Sequence, residues 1–400
     1  MKKLADTGAA KQWLRKNKIS IAVLAAALVI FVVLCVLASP DTDTAVGAEE
    51  YAEYENAVVT TVLSDTTFSD ETADNAIRGE QLLLAEVKTG QYKGETLQVS
   101  NYVGPMYGAR VEVGDGVTLI ISTYKDGSHT ATVYEYNRST ALIIIALAFV
   151  VVTVLVGGKV GAKSLVALAV TLACLFWLLV PLLLKGAPTL LTVFLVCAYI
   201  TVVTMVILNG VERKSVCAML GTIAGTAIAL LFGLAAQSLT RVDGLRLADV
   251  EPLLQLRQTG TPIGLSGLLV GGIVISALGA VMDVAMSIAS ALTEVHTVAP
   301  KMTSKELFRS GMNIGRDMVG TMTNTLILAF LGSGFALVIY LYSLGLDPHQ
   351  LISSAYLTIE VVSGVSSSIG VILAVPLTAL ISSVILTKEK KRSLIGFGIV

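Results

Sequence analysis

Asp283 interrupts a strongly apolar stretch in step with its neighbours: Gly272, Ser276, Gly279, Asp283, Ser287 and Ser290 recur at intervals of 4, 3, 4, 4 and 3. That rhythm puts small and polar side chains on one face of a helix. Ile273, Val274, Leu278, Val281 and Met282 fall on the other faces, suited to lipid or to neighbouring helices. An aspartate near the centre of a membrane helix costs about 2.5–3.5 kcal/mol, so the stripe is expected to face the bundle interior or a water-filled cavity. There Asp283 could bind a cation or relay a proton. A structural ion pair or a water-satisfied anchor is the plainer reading of the same residue.

A second polar face follows at Asn313, Asp317, Gly320 and Asn324, spaced 4, 3 and 4, with Arg316, Thr321 and Thr325 alongside. If the two helices are neighbours, Arg316 reaches the depth of Asp283 and would hold it ionised; alone, Asp283 could carry a proton. The sequence leaves both alternatives open. In a transport reading, Asp283 takes the coupling proton or cation and Arg316 and Asp317 form a cytoplasmic gate. Asn324, Thr321 and Thr325 then offer neutral hydrogen bonds to the solute.

Glu360 is the third candidate. Residues 350–386 form a largely apolar region of 37 positions, about 55 Å as one helix, too long for a single crossing. The run 363–368 (SGVSSS) supplies a natural break and Pro376 a kink. Residues 350–362 are therefore expected to form a re-entrant or interfacial half-helix ending beside Glu360, followed by one true span. Broken helices at membrane depth recur at transporter binding sites. A surface-lying helix with a solvated Glu360 is the competing reading.

The elements that must hold these residues follow from composition. Of 400 residues, 54% are hydrophobic and 14% charged, against about 25% charged in a soluble domain. A helix needs roughly 20 apolar residues to cross a bilayer. Eight candidate spans meet that need, at 19–38, 140–156, 165–184, 189–208, 216–237, 263–290, 319–342 and 366–386. The first, behind a basic lead at 1–18, is too long for the core of a cleaved signal peptide and reads as an uncleaved anchor. Placing the N-terminus inside puts 18 Lys and Arg in cytoplasmic segments, including the tail at 387–400, against four in the short outer loops. Both termini are thus expected in the cytoplasm, with the bundle over 139–386.

Residues 41–138 differ in kind. They hold 17 acidic and 6 basic side chains, leaving 12 acidic and 22 basic for the rest of the chain. Short β-branched runs at 58–63, 82–87, 96–99, 117–122 and 130–136 read as strands, with Gly90, Gly94, Gly114 and Asp126-Gly127 among the turns. Five such strands suggest a small extracytoplasmic barrel of OB or SH3 type. Its acidity argues against nucleic acid, and a structural or protein-docking module is the plain expectation.

Other chemistry finds no support. The cysteines (Cys35, Cys174, Cys197 and Cys217) lie in or beside apolar runs without metal or redox spacing. Three scattered histidines form no ligand motif, no Walker A sequence occurs, and no serine nucleophile elbow occurs. No enzyme activity, metal or cofactor is expected; intramembrane hydrolysis by Asp283 with Asp317 or Glu360 would follow no recognised motif. Gly221, Gly225, Ala229 and Gly233 form a small-residue ridge at i+4 spacing, a close-packing surface for another helix. Gly272, Gly279 and Gly320 are assigned the same packing role.

The stretches GLLVGGIVISALGAVMDVAMSIASALTEV (267–295) and SGMNIGRDMVGTMTNTLILAFLGS (310–333) resemble the YibE/F-like family of membrane proteins. PLTAL (376–380), the outer module ending at Tyr136-Asn137-Arg138 and the order of spans agree with that resemblance. It implies a multi-pass protein of the bacterial plasma membrane and brings no reaction, substrate or cofactor with it. The expectation is an all-α bundle of about eight transmembrane helices carrying a small outer β-barrel. Its leading function is permease-like movement of a small solute or ion. The alternative is a scaffold or sensor whose outer domain docks a partner. The oligomeric state stays open.

Overall fold

A computed structural model describes residues 18–38, 52–123, 129–247 and 250–396, with side chains through Lys388 in the last segment. The basic lead before Lys18 and the Asp126-Gly127 turn lie outside the described residues. The chain divides into two compact units, Ala45–Val156 and Met1–Thr44 with Gly157–Val400.

The first unit holds a five-stranded barrel. Its strands are β1 (Ala52–Asp65), β3 (Ala76–Val87), β4 (Thr96–Val103), β5 (Gly116–Thr123) and β6 (His129–Tyr136), with a short β2 (Phe68–Asp70) on the edge of β3. Each of the five expected β runs falls inside one of these long strands. β1 pairs with both β3 and β5, β3 with β4, and β5 with β6, all antiparallel. A short parallel pairing of Val99 with Ala131 and Ser100 with Thr132 closes the ring. This order favours the OB alternative of the two barrel types. Two register shifts in β1 let one long strand bend around to serve both neighbours. Alternation turns Leu97, Val99 and Val103 of β4 and Val117, Leu119 and Ile121 of β5 into the core.

Polar residues pin the loop after β4. The Gln81 side chain accepts from the Val111 amide at 3.0 Å and donates to the Val111 carbonyl at 3.1 Å and to Asp65 Oδ2 at 3.2 Å. Asn101 donates to Gln81 at 2.9 Å, and Arg110 Nε pairs with Asp65 at 3.0 Å. Hydrogen bonds from Thr67, with smaller help from Arg110 and Gln81, lower the Asp65 carboxyl to about 2. Because the folded carboxyl is depressed, its stabilisation is present above about pH 4 and lost as pH falls toward 2. Asp65→Asn is therefore expected to lower barrel protection at neutral pH and to remove part of its acid sensitivity below pH 4. Hydrogen exchange of the Val111 amide across that range checks both effects.

The second unit is helical. Its first helix, α1 (Lys18–Ala38), is tied into the bundle at both ends and the middle: Lys185 Nζ donates to the Leu37 carbonyl, the Val211 amide to Ser20 Oγ, and Tyr199 Oη to the Ala27 carbonyl. The long helix α2 (Ser139–Ala173) starts in the first unit and continues through a π-helical stretch at Cys174–Leu179 into α3 (Val180–Leu184). Gly158 inside it has φ 54 and ψ −132, which is not helical, and the expected spans at 140–156 and 165–184 lie on either side of it. Then come α4 (Thr189–Asn209), α5 (Arg213–Thr240), α6 (Glu251–Gln258), α7 (Leu268–Val298), α8 (Ser304–Ser333), α9 (Phe335–Ser343), α10 (Pro348–Ile352) and α11 (Ala355–Gly396). Among the described residues, six helices are long and apolar enough to cross a membrane, or seven if the bent pair α8–α9 is one span.

Three expected boundaries are corrected. The sixth span does not begin at 263: Ile263 and Leu265 belong to a buried loop packed on Val250, and α7 starts at Leu268 and runs on to Val298. The seventh, expected as one helix over 319–342, begins at Ser304 and bends by 61° at Gly334. The half-helix at 350–362 is replaced by α10 and the unbroken α11, which passes through 363–368 and Pro376. Ser367 and Ser368 stay within α11 because their hydroxyls reach carbonyls of the same helix or of α7. Ser368 donates to the Gly364 carbonyl at 2.7 Å, and Ser367 donates across to Ile273 of α7 at 3.3 Å.

The centre of the unit is packed from α5, α7, α8 and α11 around Ala229, Ala277, Val281, Ile288, Val371 and Ala374. The ridge on α5 is its tightest seam. A Cβ on Gly225 would lie 2.7 Å from Val281 Cγ1 and 2.8 Å from Ala374 Cβ. On Gly221 it would meet Thr378 Oγ1 at 2.1 Å, and on Gly233 it would meet Val270 Cγ1 at 3.3 Å.

Candidate functional site

Asp283 is the middle residue of the 31-residue α7. Its stripe is open: Gly272, Ser276, Gly279, Asp283 and Ser287 are exposed, and Ser290 is half-buried. The opposite face, Val274, Ala277, Val281, Val284 and Ile288, is the buried one. The stripe therefore does not face the bundle interior, for a packing reason. The smooth glycine surface of α5 accepts the branched face of α7, so the small residues of α7 are turned outward. Nothing lies within 4 Å of a Cβ placed on Gly272, Gly279 or Gly320, so these three admit no close helix approach within the chain.

The polar face of α8 is open as well. Asn313, Arg316, Asp317, Gly320, Thr321, Asn324 and Thr325 are exposed, while Leu307, Gly311 and Gly315 are buried. Gly311 fits between Leu292 of α7 and Ala379 of α11, and Gly315 lies against Val375 and Ile288. With those glycines as the contact face, the charged residues point away from both neighbours. Thr321 and Thr325 spend their hydroxyls on the carbonyls of Met318 and Thr321 in their own helix. Of the two alternatives left open, the Asp283–Arg316 pair is not formed. Among the described residues neither side chain has a hydrogen bond or an ion pair.

Glu360 is different. Five positions from the start of α11, it is half-buried and leans on the bend between α8 and α9. A Cβ on Gly334 would lie 3.3 Å from Glu360 Cδ and 3.5 Å from its Oε2, so the carboxyl packs directly over this glycine. Gly334 has φ −89 and ψ 10, and its amide still bonds the Phe330 carbonyl at 3.0 Å. The helix axis therefore turns with its hydrogen-bonding largely kept. Ile327, Phe330, Gly334, Leu337, Leu357 and Glu360 are among the residues lining a cavity of about 200 Å³ at this bend. Glu360 is the one ionisable group in that lining, and among the described residues it has no hydrogen-bond or ion-pair partner. Such a group can hold one proton or pair with one cation.

The sequence reading placed a helix break near Glu360 but in the wrong element. Gly332-Ser333-Gly334, three small residues ending an apolar run, carried the signal for the true bend. It also missed a buried polar seam along α11. Ser366 and Thr378 are fully buried, and their hydroxyls have no partner among the described residues.

The family model described as YibE/F-like protein matches residues 145–388, which include Asp283, Arg316, Asp317, Asn324 and Glu360 and leave out the barrel. No curated protein and no solved structure matches the chain. A match over more than half of the chain, through every helix that builds the polar faces and the Glu360 cavity, makes this chain a member of the YibE/F-like family.

Proposed function

We propose that the protein is a permease of the bacterial plasma membrane that moves a small solute past Glu360. In this reading the chain crosses the bilayer eight times, with a reversal at Gly158, both termini in the cytoplasm and the acidic barrel outside. The observation that carries it is the carboxylate of Glu360 set against a bent helix, in an otherwise apolar cavity. Discontinuous helices bring binding groups and backbone together at membrane depth in many secondary transporters. The polar site thereby moves from Asp283 to Glu360, and the gate from Arg316 and Asp317 to the Gly334 bend.

The test is uptake by the purified protein in proteoliposomes over a panel of solutes, comparing Glu360→Gln with Asp283→Asn. A lost charge-assisted contact is worth about 1.5–3 kcal/mol, so Glu360→Gln is expected to cut uptake by roughly 10- to 100-fold. Asp283→Asn is expected to leave most of it. Undiminished uptake in Glu360→Gln removes the site.

The open faces of α7 and α8 favour a second reading, a scaffold or sensor. Charged residues in apolar helices call for a protein neighbour. The acidic barrel adds exposed Tyr54, Tyr102, Tyr107 and Tyr134, side chains suited to docking. Deleting residues 46–134 separates the two: a permease core keeps its flux, and a docking protein loses its partner.

A further inference from the structure

We propose that the Glu360 cavity binds a small ammonium ion carried on an apolar body. This names the solute class of the site proposed above and rests on that cavity being a binding site. Three observations converge on it. The lining is aliphatic and aromatic apart from one carboxylate, so a ligand must satisfy a single negative group and bury carbon everywhere else. Among the described residues Glu360 has no ion-pair partner, and no Lys or Arg occurs between Arg316 and Lys388 or in α7. A cation that pairs with the ionised carboxylate would then come from outside the chain. Phe330 forms part of the wall, and an aromatic face adds to the attraction for an ammonium group.

The same features exclude other classes. An anion meets the Glu360 charge with nothing to offset it. A sugar would bury hydroxyls against carbon, leaving them unpaired. A bare calcium ion takes about 6–8 oxygen ligands, and this lining offers one carboxylate. Size narrows the choice further, since about 200 Å³ lies below the roughly 300–1,000 Å³ of pockets for drug-sized ligands. A short alkyl or aryl amine fits that limit. An ammonium lipid headgroup entering from the bilayer offers the same chemistry.

The experiment is isothermal titration of the full chain in neutral maltoside micelles with hexylammonium, hexanol and hexanoate. Hexylammonium is expected to bind about tenfold or more tighter than hexanol, as one charge-assisted contact implies, and hexanoate weakest. Glu360→Gln, matched to the native protein in elution and melting temperature, is expected to erase the difference between amine and alcohol. Equal binding of amine and alcohol by the native chain overturns the proposal, as does a preference that survives Glu360→Gln. The native ligand series decides the matter even if the variant fails to fold. Adding phosphatidylethanolamine or phosphatidylglycerol separates the sources. Competition by the former alone assigns the site to a lipid headgroup, and no competition assigns it to a soluble amine; both support the ammonium class. Amine binding without uptake would keep this site and overturn the permease, whereas uptake of a solute without amine preference would do the reverse.

Discussion

Leucine in place of Gly225 is expected to unfold the helical unit or lower its melting temperature more than any other single change considered. The position is a three-helix junction. A single added methyl already falls 2.7 Å from Val281 on α7, 2.8 Å from Ala374 and 3.3 Å from the Gly370 carbonyl on α11. No rotamer of a larger side chain escapes all three, and two of the obstacles are a backbone oxygen and a methyl fixed to it. Overpacking typically costs about 1–3 kcal/mol, and the backbone contacts place Gly225→Leu at or above the top of that range. Gly279→Leu is the matched control, because nothing stands within 4 Å of its Cβ position. Thermal unfolding can be followed through the reactivity of Cys174, Cys197 and Cys217, all buried. A large loss for Gly225→Leu with little for Gly279→Leu is the expected pattern. Equal melting of the two variants would show that α5 is not the seam of the bundle.

The second large effect concerns function with the fold kept. Gly334→Leu is expected to cut solute uptake as severely as Glu360→Gln, with a melting temperature close to that of the native protein. At φ −89 an L-residue sits without strain, so the bend itself tolerates the change. The new side chain, however, must share space with the Glu360 carboxyl, whose Cδ is 3.3 Å from the added Cβ. Glu360 can swing aside, but then leucine fills the cavity in its place. Uptake in proteoliposomes and a melting curve on the same preparation measure both quantities. Native-level uptake in Gly334→Leu would mean that the solute does not pass this bend.

Legibility differed between the two units for a physical reason. In the barrel, alternation in β4 and β5 reports directly which side chains enter the core, because a strand has only two faces and one of them is solvated. Five strands and the glycine turns at Gly90, Gly94 and Gly114 could be read from residue types alone. The choice between OB and SH3 could not, since it rests on the pairing of Val99 with Ala131, 32 positions apart. In the helices, the steps of 4 and 3 around Asp283 correctly put those residues on one face. They carried no information about what covers that face.

The sequence by itself determined that long apolar helices carry a small acidic β module, that Gly221 and Gly225 can form a contact ridge, and that Asp283 shares a face with Gly279 and Ser287. These are properties of composition and local periodicity, which need no knowledge of neighbours. Only the tertiary structure decided the rest: that the glycines of α5 draw in the branched face of α7 and turn Asp283 outward, that Gly311 and Gly315 turn Arg316 away from it, and that the bend lies at Gly334 rather than at 363–368. A helix fixes angles between its own residues, and packing against other helices fixes which of those angles points inward.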